Sequence, residues 1–287
     1  MDLQTESFEH NRPTLEGIAY RMLGSLSEAQ DIVQETYLRW RKVEPAEVRD
    51  ARAWLITACS RLALNHLQSA RARREQYFGT WLPEPFPDAA PKPLETDETV
   101  SMALMVALER LSPAERAAYL LHEVFDYSFD EVAAILEKSN ASCRQLAARA
   151  RKRLAEAKPR FSATPDEHRR LLEGFFEAAR EGNLDQFKAL LADDALLFGD
   201  GGGKATAVLE PLAGPAAIGA LMAGVWRSYA AKGIALVTEP HWFNGSPGML
   251  VYENGVVTTA VTLDIVEGRI ARIYSIRNPD KLRGFNG

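Results

Sequence analysis

Along the first half of the chain, apolar residues recur at intervals of three and four, the spacing of one face of a helix. Ile32, Val33, Tyr37 and Trp40 follow this rule, and Ser27-Glu-Ala-Gln30 ahead of them reads as a capping box. A second run, Trp54, Leu55, Ala58, Leu62 and Leu64, follows Asp50, which is placed to cap it, and ends in the basic residues Arg71, Arg73 and Arg74. Residues 8–75 therefore predict a set of helices. Over residues 77–95 the period is lost. YFGTWLPEPFPDAAPKPLE carries Pro83, Pro85, Pro87, Pro91 and Pro93, and proline lacks a backbone donor and fixes φ, so this is an extended linker. It also carries Tyr77, Phe78, Trp81 and Leu82, large apolar groups for which a solvated spacer has no use, so the linker is expected to dock on something.

Helical spacing returns over residues 97–158. Ser112-Pro-Ala-Glu115 joins a capping box to a proline at the first helical position, and Ser128-Phe-Asp-Glu131 is another box. The helix opened by Ser128 is short, to about Leu136. A turn over Glu137–Asn140 and a second helix from about Ala141 complete a helix-turn-helix pattern.

Beyond residue 164 the class changes. Thr164-Pro-Asp-Glu167 and Asn183-Leu-Asp-Gln186 start helices, and a third is expected near 215–231. Strand-like segments follow at Ile234–Trp242, Met249–Tyr252, Val256–Ile265 and Arg269–Ile276. Asn254-Gly255 is the best hairpin signal, with Glu267-Gly268 the next turn. Helices followed by a bent antiparallel sheet predict an α+β domain.

Composition changes this picture little. The 287 residues are 46% hydrophobic and 25% charged, ordinary globular usage with room for two or three domains. No run of about 18 apolar residues exists, and MDLQTESFEH has no signal-peptide pattern, so a cytoplasmic protein without membrane contact is expected. Cys59 and Cys143 alone build neither a disulfide scaffold nor a four-ligand zinc site, and are read as reduced thiols.

Charge is more informative. The net value is −5, and residues 161–287 hold 12 Lys/Arg against 15 Asp/Glu, so neither half is basic and a nucleic-acid surface has to be a local patch. Residues 141–160 supply one: Arg144, Arg149, Arg151, Lys152, Arg153, Lys158 and Arg160 are opposed only by Glu156.

These segments resemble a known family. AQDIVQETYLRWRK, DARAWLITACSRLALNHLQSARARRE and LERLSPAERAAYLLHEVFDYSFDEVAAILEKSNASCRQLAARARKRL are similar, in order and spacing, to the two domains of extracytoplasmic-function sigma factors. Tyr77-Phe-Gly-Thr-Trp-Leu-Pro-Glu-Pro85, Asp200-Gly-Gly-Gly-Lys204 and Asn278-Pro-Asp-Lys-Leu282 resemble the subgroup with a C-terminal SnoaL-like extension, a curved sheet and helices around a conical pocket. Two positions depart from the pattern. Glu137 stands where the turn often has glycine, and Thr80 where the linker usually has a further proline.

The resemblance implies a multidomain chain: all-α sigma domain 2 over 1–75, a Pro-rich linker over 76–96, all-α sigma domain 4 with the helix-turn-helix over 97–160, and an α+β SnoaL-like domain over 165–287. It implies a sigma factor that directs core RNA polymerase to specific promoters, regulated in cis by its C-terminal domain in place of a separate anti-sigma factor. Its partners are then the clamp helices of the polymerase core and promoter DNA. No cofactor, metal or catalysis is expected. The alternative is a DNA-tethered sensor or enzyme that takes a small-molecule ligand in the SnoaL-like pocket.

The same resemblance assigns residues. Asp31, Gln34, Glu35 and Leu38 share one helix face and would meet the basic clamp helices. Asn65, Ser69, Arg71 and Arg73 would meet the melted −10 element, where an extruded base must be compensated by stacking, hydrogen bonds and phosphate contacts. Trp54 beside them reads as core packing. Arg144, Gln145, Ala148, Arg149 and Lys152 form the face toward the −35 element. Arg144 and Gln145 suit base edges, while Arg149 and Lys152 suit phosphates. For regulation, Tyr77, Trp81, Leu82 and Pro83 of the linker are expected to pack near Asp200, Gly201, Gly202, Gly203 and Lys204, and near Asn278, Pro279, Asp280 and Lys281. Asp200-Gly-Gly-Gly-Lys204 lacks the spacing of a phosphate loop, and nucleotide hydrolysis is rejected. Asp200 and His241 form the one acid/base pair worth weighing, and it is set aside because no triad spacing supports it.

Overall fold

The computed structural model describes residues 2–44, 48–74, 76–87, 101–155 and 163–286, without the side chains of residues 71–73. The linker beyond Pro87, including Pro91 and Pro93, the side chains of Arg71 and Arg73, and the basic residues Lys158 and Arg160 lie outside the described residues. The chain forms two compact units. One joins Met1–Gln76 to Leu104–Ala157, and the other joins Tyr77–Ala103 to Lys158–Gly287.

The first unit opens with α1 (Leu3–Leu23), capped by Asp2 and closed by Gly24 in the left-handed region at φ 67°. That closure decides where α2 (Leu26–Trp40) begins. The residue after Gly24 is extended, so Ser25 and not Ser27 is the cap, accepting from the Glu28 amide at 3.4 Å. The expected box at Ser27 is thus corrected by one turn geometry: Ser27 already lies inside the helix. Next comes α3 (Ala51–Arg74), and Asp50 caps it as expected, accepting from the Ala53 amide at 3.0 Å. Phe8, Leu15, Ile18, Ile32, Val33, Leu55 and Ile56 fill the core between the three helices. Trp54 is half-buried with its ring 5.2 Å from that of Trp40, a packing role.

The unit continues with α4 (Met102–Leu108), α5 (Pro113–Tyr119), one π-helical turn at Leu120–Val124, α6 (Phe129–Leu136) and α7 (Asn140–Ala155). The boxes at Ser112 and Ser128 are both present. Glu137 closes α6 in the left-handed region, at φ 54° and ψ 45°. The turn therefore has the conformation that favours glycine, and a non-glycine residue occupies it.

In the second unit, α8 (Pro165–Glu181), α9 (Leu184–Leu190) and α10 (Pro215–Ala231) pack on one face of a six-stranded sheet. The strands are β1 (Leu191–Asp200), β2 (Leu212–Ala213), β3 (Leu236–Phe243), β4 (Ser246–Glu253), β5 (Val256–Val266) and β6 (Arg269–Ile276), in the order β2-β1-β6-β5-β4-β3. β1 runs parallel to β6, and the other pairings are antiparallel. Phe175, Phe176, Phe187 and Ile218 of the helices meet Val261, Leu263, Ile265 and Ile273 of the sheet. Residues 254–255 and 267–268 turn with φ positive at both positions, as the hairpin signals require. A third such turn, Asn244-Gly245, joins β3 to β4. Register shifts at Val251/Tyr252 and Asp264/Ile265 bend the sheet. This is the expected α+β domain, with β1 and β2 added.

Candidate functional site

On α2, Ile32, Val33, Thr36 and Trp40 point into the core, which leaves the opposite face to solvent. Asp31, Gln34, Glu35 and Leu38 are all exposed there, and Leu38 is 54% exposed. Glu35 pairs with Arg39 one turn on, at 2.6 Å. The result is an acidic surface with one leucine standing out of it.

Asn65 and Ser69 are exposed one turn apart on α3, and the Ser69 hydroxyl donates to the Asn65 carbonyl at 3.4 Å. Elsewhere on α3, Arg61 donates to the carbonyls of Ala134 (2.8 Å) and Ile135 (3.1 Å), the free carbonyls at the end of α6. Arg116 of α5 is buried, donates to the Arg21 carbonyl at 2.9 Å and pairs with Glu109, which also takes Arg74 of α3. The sequence reading missed these joints. Buried arginine carries no signature of its own in a sequence with many surface arginines.

On α7, Cys143, Leu146, Ala147, Ala150 and Leu154 face inward. Arg144, Gln145, Ala148, Arg149 and Lys152 are all exposed on the other side. Arg149 lies 3.9 Å from Glu115, which Arg153 also approaches at 2.7 Å. The Arg144 guanidinium sits 4.6 Å over the Phe129 ring, and its Nε donates to Asn140 at 2.8 Å.

The densest polar constellation lies where β1 ends. Asp200 closes that strand, and its carbonyl accepts from the amides of Arg277 and Asn278 just past β6. Its carboxylate, fully buried, meets the linker. One oxygen accepts from the Tyr77 hydroxyl at 2.6 Å; the other accepts from the Leu82 amide at 2.8 Å and from the Lys281 ammonium at 2.7 Å. Lys281 also donates to the Leu82 carbonyl, and its ammonium lies 4.1 Å over the Trp81 ring and 5.2 Å over that of Tyr77. Asn278 donates to the Tyr77 oxygen at 2.8 Å, and Lys204 pairs with Asp280. Burial, with the hydrogen bond to Asp200 second, pushes the Tyr77 hydroxyl well above its ordinary range, so it remains a donor. Hydrogen bonding to Lys204 holds Asp280 below the usual carboxylate range.

Glycine is needed here for space. Gly202 has φ 58°, and a Cβ on it would strike the Asn278 amide and come within 2.8 Å of the Tyr77 hydroxyl; one on Gly201 would strike the Ala205 carbonyl. Leu82 and Pro83 are buried, and Gly203 packs against Phe78. Pro279 opens the short helical turn, Pro279–Lys281, that carries Lys281. The linker and the two motifs thus come together. Further along, Phe86 and Asn244 exchange two hydrogen bonds of 3.0 Å, and Pro87 bridges to Phe243. The sequence reading missed that second anchor, although Asn244-Gly245 carries the same hairpin chemistry as Asn254-Gly255.

Asp200 and His241 are not brought together. β6, β5 and β4 separate β1 from β3, and the Asp200 carboxylate is occupied by the linker. Among the described residues no cluster of His, Cys, Asp and Glu has the form of a metal site, and no helix is long and apolar enough to cross a membrane.

Comparison with known proteins agrees with this layout. Residues 7–73 match the model of sigma-70 region 2, and residues 101–154 that of sigma-70 region 4. The ECF RNA polymerase sigma factor SigJ of Mycobacterium tuberculosis is 36% identical over 98% of this chain and 94% of its own. A probable ECF RNA polymerase sigma factor of the same organism, SigI, is 31% identical over 98% of this chain and 95% of its own. The crystal structure of the M. tuberculosis SigJ superposes with a TM-score of 0.76 at 32% identity, covering 98% of both chains. With helical regions 2 and 4 in order, an α+β domain behind them and this identity over nearly the full length, the chain belongs to the extracytoplasmic-function RNA polymerase sigma factors, the proteins of promoter-specific transcription initiation.

Proposed function

We propose that this sigma factor engages its partners through the exposed faces of α2 and α7 and through the end of α3, and that its C-terminal domain sets its activity in cis by gripping the linker between its sigma domains. The acidic face of α2 (Asp31, Gln34, Glu35, Leu38) takes the clamp helices of core polymerase. The end of α3, with Asn65, Ser69, Arg71 and Arg73, takes the −10 strand. The α7 face takes the −35 duplex, with Arg144 and Gln145 at base edges and Arg149 and Lys152 at phosphates.

The observation that carries the regulatory reading is the buried Asp200 carboxylate, whose two oxygens are filled by the Tyr77 hydroxyl, the Leu82 amide and Lys281. A flexible tether keeps two domains only loosely spaced. Holding Tyr77–Pro87 on a folded domain shortens the length of tether left free. The grip needs little intrinsic affinity, because covalent attachment supplies an effective concentration in roughly the millimolar range. The C-terminal domain then does the work of a separate anti-sigma factor, and the protein is not an enzyme. Occupation of Asp200 by the linker and its separation from His241 both weigh against acid/base chemistry in this domain.

Run-off transcription from a cognate promoter, with core polymerase and the full chain, tests both parts. Asp200→Asn and Lys281→Met are each expected to change promoter output several-fold in one common direction. Unchanged output in both, with the fold intact, overturns cis regulation. The sensor alternative instead predicts that a small molecule raises the melting temperature of the protein.

A further inference from the structure

Around Arg144 three side chains form a relay that the recognition helix alone does not provide. Asn140, at the start of α7, accepts from Arg144 Nε at 2.8 Å through its amide oxygen, and donates through its amide nitrogen to Asp130 at 2.7 Å. The chemistry fixes which way the amide points. A guanidinium can only donate and a carboxylate can only accept, so the opposite orientation would lose both bonds. The guanidinium also lies 4.6 Å above the Phe129 ring, whose centroid is 3.8 Å from that of His122. Phe129 and Asp130 are the first two residues of α6, so the helix before the turn holds the arginine of the helix after it.

We infer that Asn140, Asp130 and Phe129 are positioning residues that present Arg144 to a guanine of the −35 element. This rests on the reading of Arg144 as the base-contacting residue. An exposed arginine on a free stem has many rotamers, and ordering it on DNA costs side-chain entropy. Here Nε is already taken by Asn140 and the guanidinium carbon lies over an aromatic ring, so the fork left for a ligand among the described contacts is that of the two terminal nitrogens. That fork matches the O6 and N7 acceptors of guanine in the major groove. Adenine offers an acceptor and a donor there, and a guanidinium has nothing to accept with. The relay therefore selects for guanine at one position and adds nothing at the others.

The experiment uses the full chain with core polymerase on a template library in which every −35 base is varied, and reads transcript yield for each base. Arg144→Ala is expected to erase the guanine preference at one position. Asn140→Ala is expected to cut that same preference by about three- to tenfold, with the other positions and the salt dependence unchanged. Phe129→Leu, which keeps the apolar bulk, is expected to do the same more weakly and serves if Asn140→Ala unfolds by circular dichroism. The exchanged pair, Asp130→Asn with Asn140→Asp, puts a carboxylate where it accepts from both the guanidinium and the new amide. It is expected to restore the preference to within about twofold of wild type. If Asn140→Ala and Phe129→Leu leave that position as sharp as wild type, or lower all bases at all positions alike, the positioning role is overturned while the reading of Arg144 stands. If Arg144→Ala itself leaves every −35 preference intact, that reading fails and the relay falls with it.

Discussion

In the helical unit, Glu109 holds Arg74 of α3 and Arg116 of α5; in the C-terminal unit, Asp200 holds Lys281 and two groups of the linker. Both arrangements bury ionised groups, and withdrawing an ion from water costs several kcal/mol unless its hydrogen bonds are completed. At Asp200 they are completed: both oxygens are filled, and the ammonium also finds a carbonyl and two aromatic faces. At Arg116 they are not. Its Nη2 is buried without a partner, and burial lowers its pKa against the opposing pull of Glu109. The linker contact thus has its hydrogen bonds completed, while the joint between α3 and α5 leaves one buried donor without a partner.

The sharpest way to break the comparison is to replace each cation by a methionine of similar reach. Lys281→Met leaves the Asp200 carboxylate buried against neutral donors only, and is expected to cost about 3–5 kcal/mol. Arg116→Met leaves Glu109 paired with Arg74 and removes the unsatisfied nitrogen, and is expected to cost less than about 1.5 kcal/mol. Hydrogen exchange at amides of β1 and β6 for the first, and of α5 for the second, reads each unit separately. Equal losses would show that completeness of hydrogen bonding does not separate the two sites.

Next in size is the effect on output. Trp81→Ala removes one aromatic face over Lys281, and deletion from Asn278 onward removes Lys281 itself. The two changes are therefore expected to shift promoter activity in the same direction by several-fold, and the double change to do no more than the larger single one. Additive effects would mean that tail and linker are not one clasp.

The two regions also differ in how much of them the sequence shows. Helix faces, both later capping boxes, four strands and the turns at Asn254 and Glu267 follow from period and local chemistry, because each is decided by a few neighbours. β1 does not. It follows α9 without a turn, carries Asp193 and Asp194 on its exposed stretch, and pairs in parallel with β6 some eighty residues later. Only that long-range partner makes it a strand. Asp200 shows the same limit. Its motif resemblance points to the linker, but only the fold shows that one carboxylate takes a hydroxyl, an amide and an ammonium at once. Ser25 was legible and misjudged: Gly24 marks the end of α1, which makes the next serine the cap.

The α2 face proposed for core polymerase offers a further contrast, since Asp31, Gln34, Glu35 and Leu38 are all exposed there. Reversing Asp31 and Glu35 together to lysine is expected to weaken binding to core polymerase by about tenfold, mostly through the association rate and most strongly at low salt. The stability loss is confined to this exposed helix surface: the Glu35–Arg39 pair is lost and like charges replace it one turn apart at positions 35 and 39, each worth about 0.2–0.5 kcal/mol. An unchanged pull-down by the folded double variant would remove this helix from the interface.

The smallest expected effect belongs to Lys152, and it sharpens the division of labour proposed for α7. Lys152 is exposed two turns beyond Arg144, past the part of the helix held by Asn140 and Phe129. An ammonium on a flexible stem acts as a point charge, without the planar fork that discriminates bases. Neutralising one phosphate releases roughly 0.9 of a counterion, so Lys152→Ala should flatten the slope of log affinity against log salt by about one. The loss should be the same for every −35 sequence. A filter-binding series at several salt concentrations on matched and mismatched duplexes checks this. If Lys152→Ala changes the preference among bases, the reading face extends further along α7 than the tethered arginine, and the relay at Asn140 is no longer what sets the sequence preference.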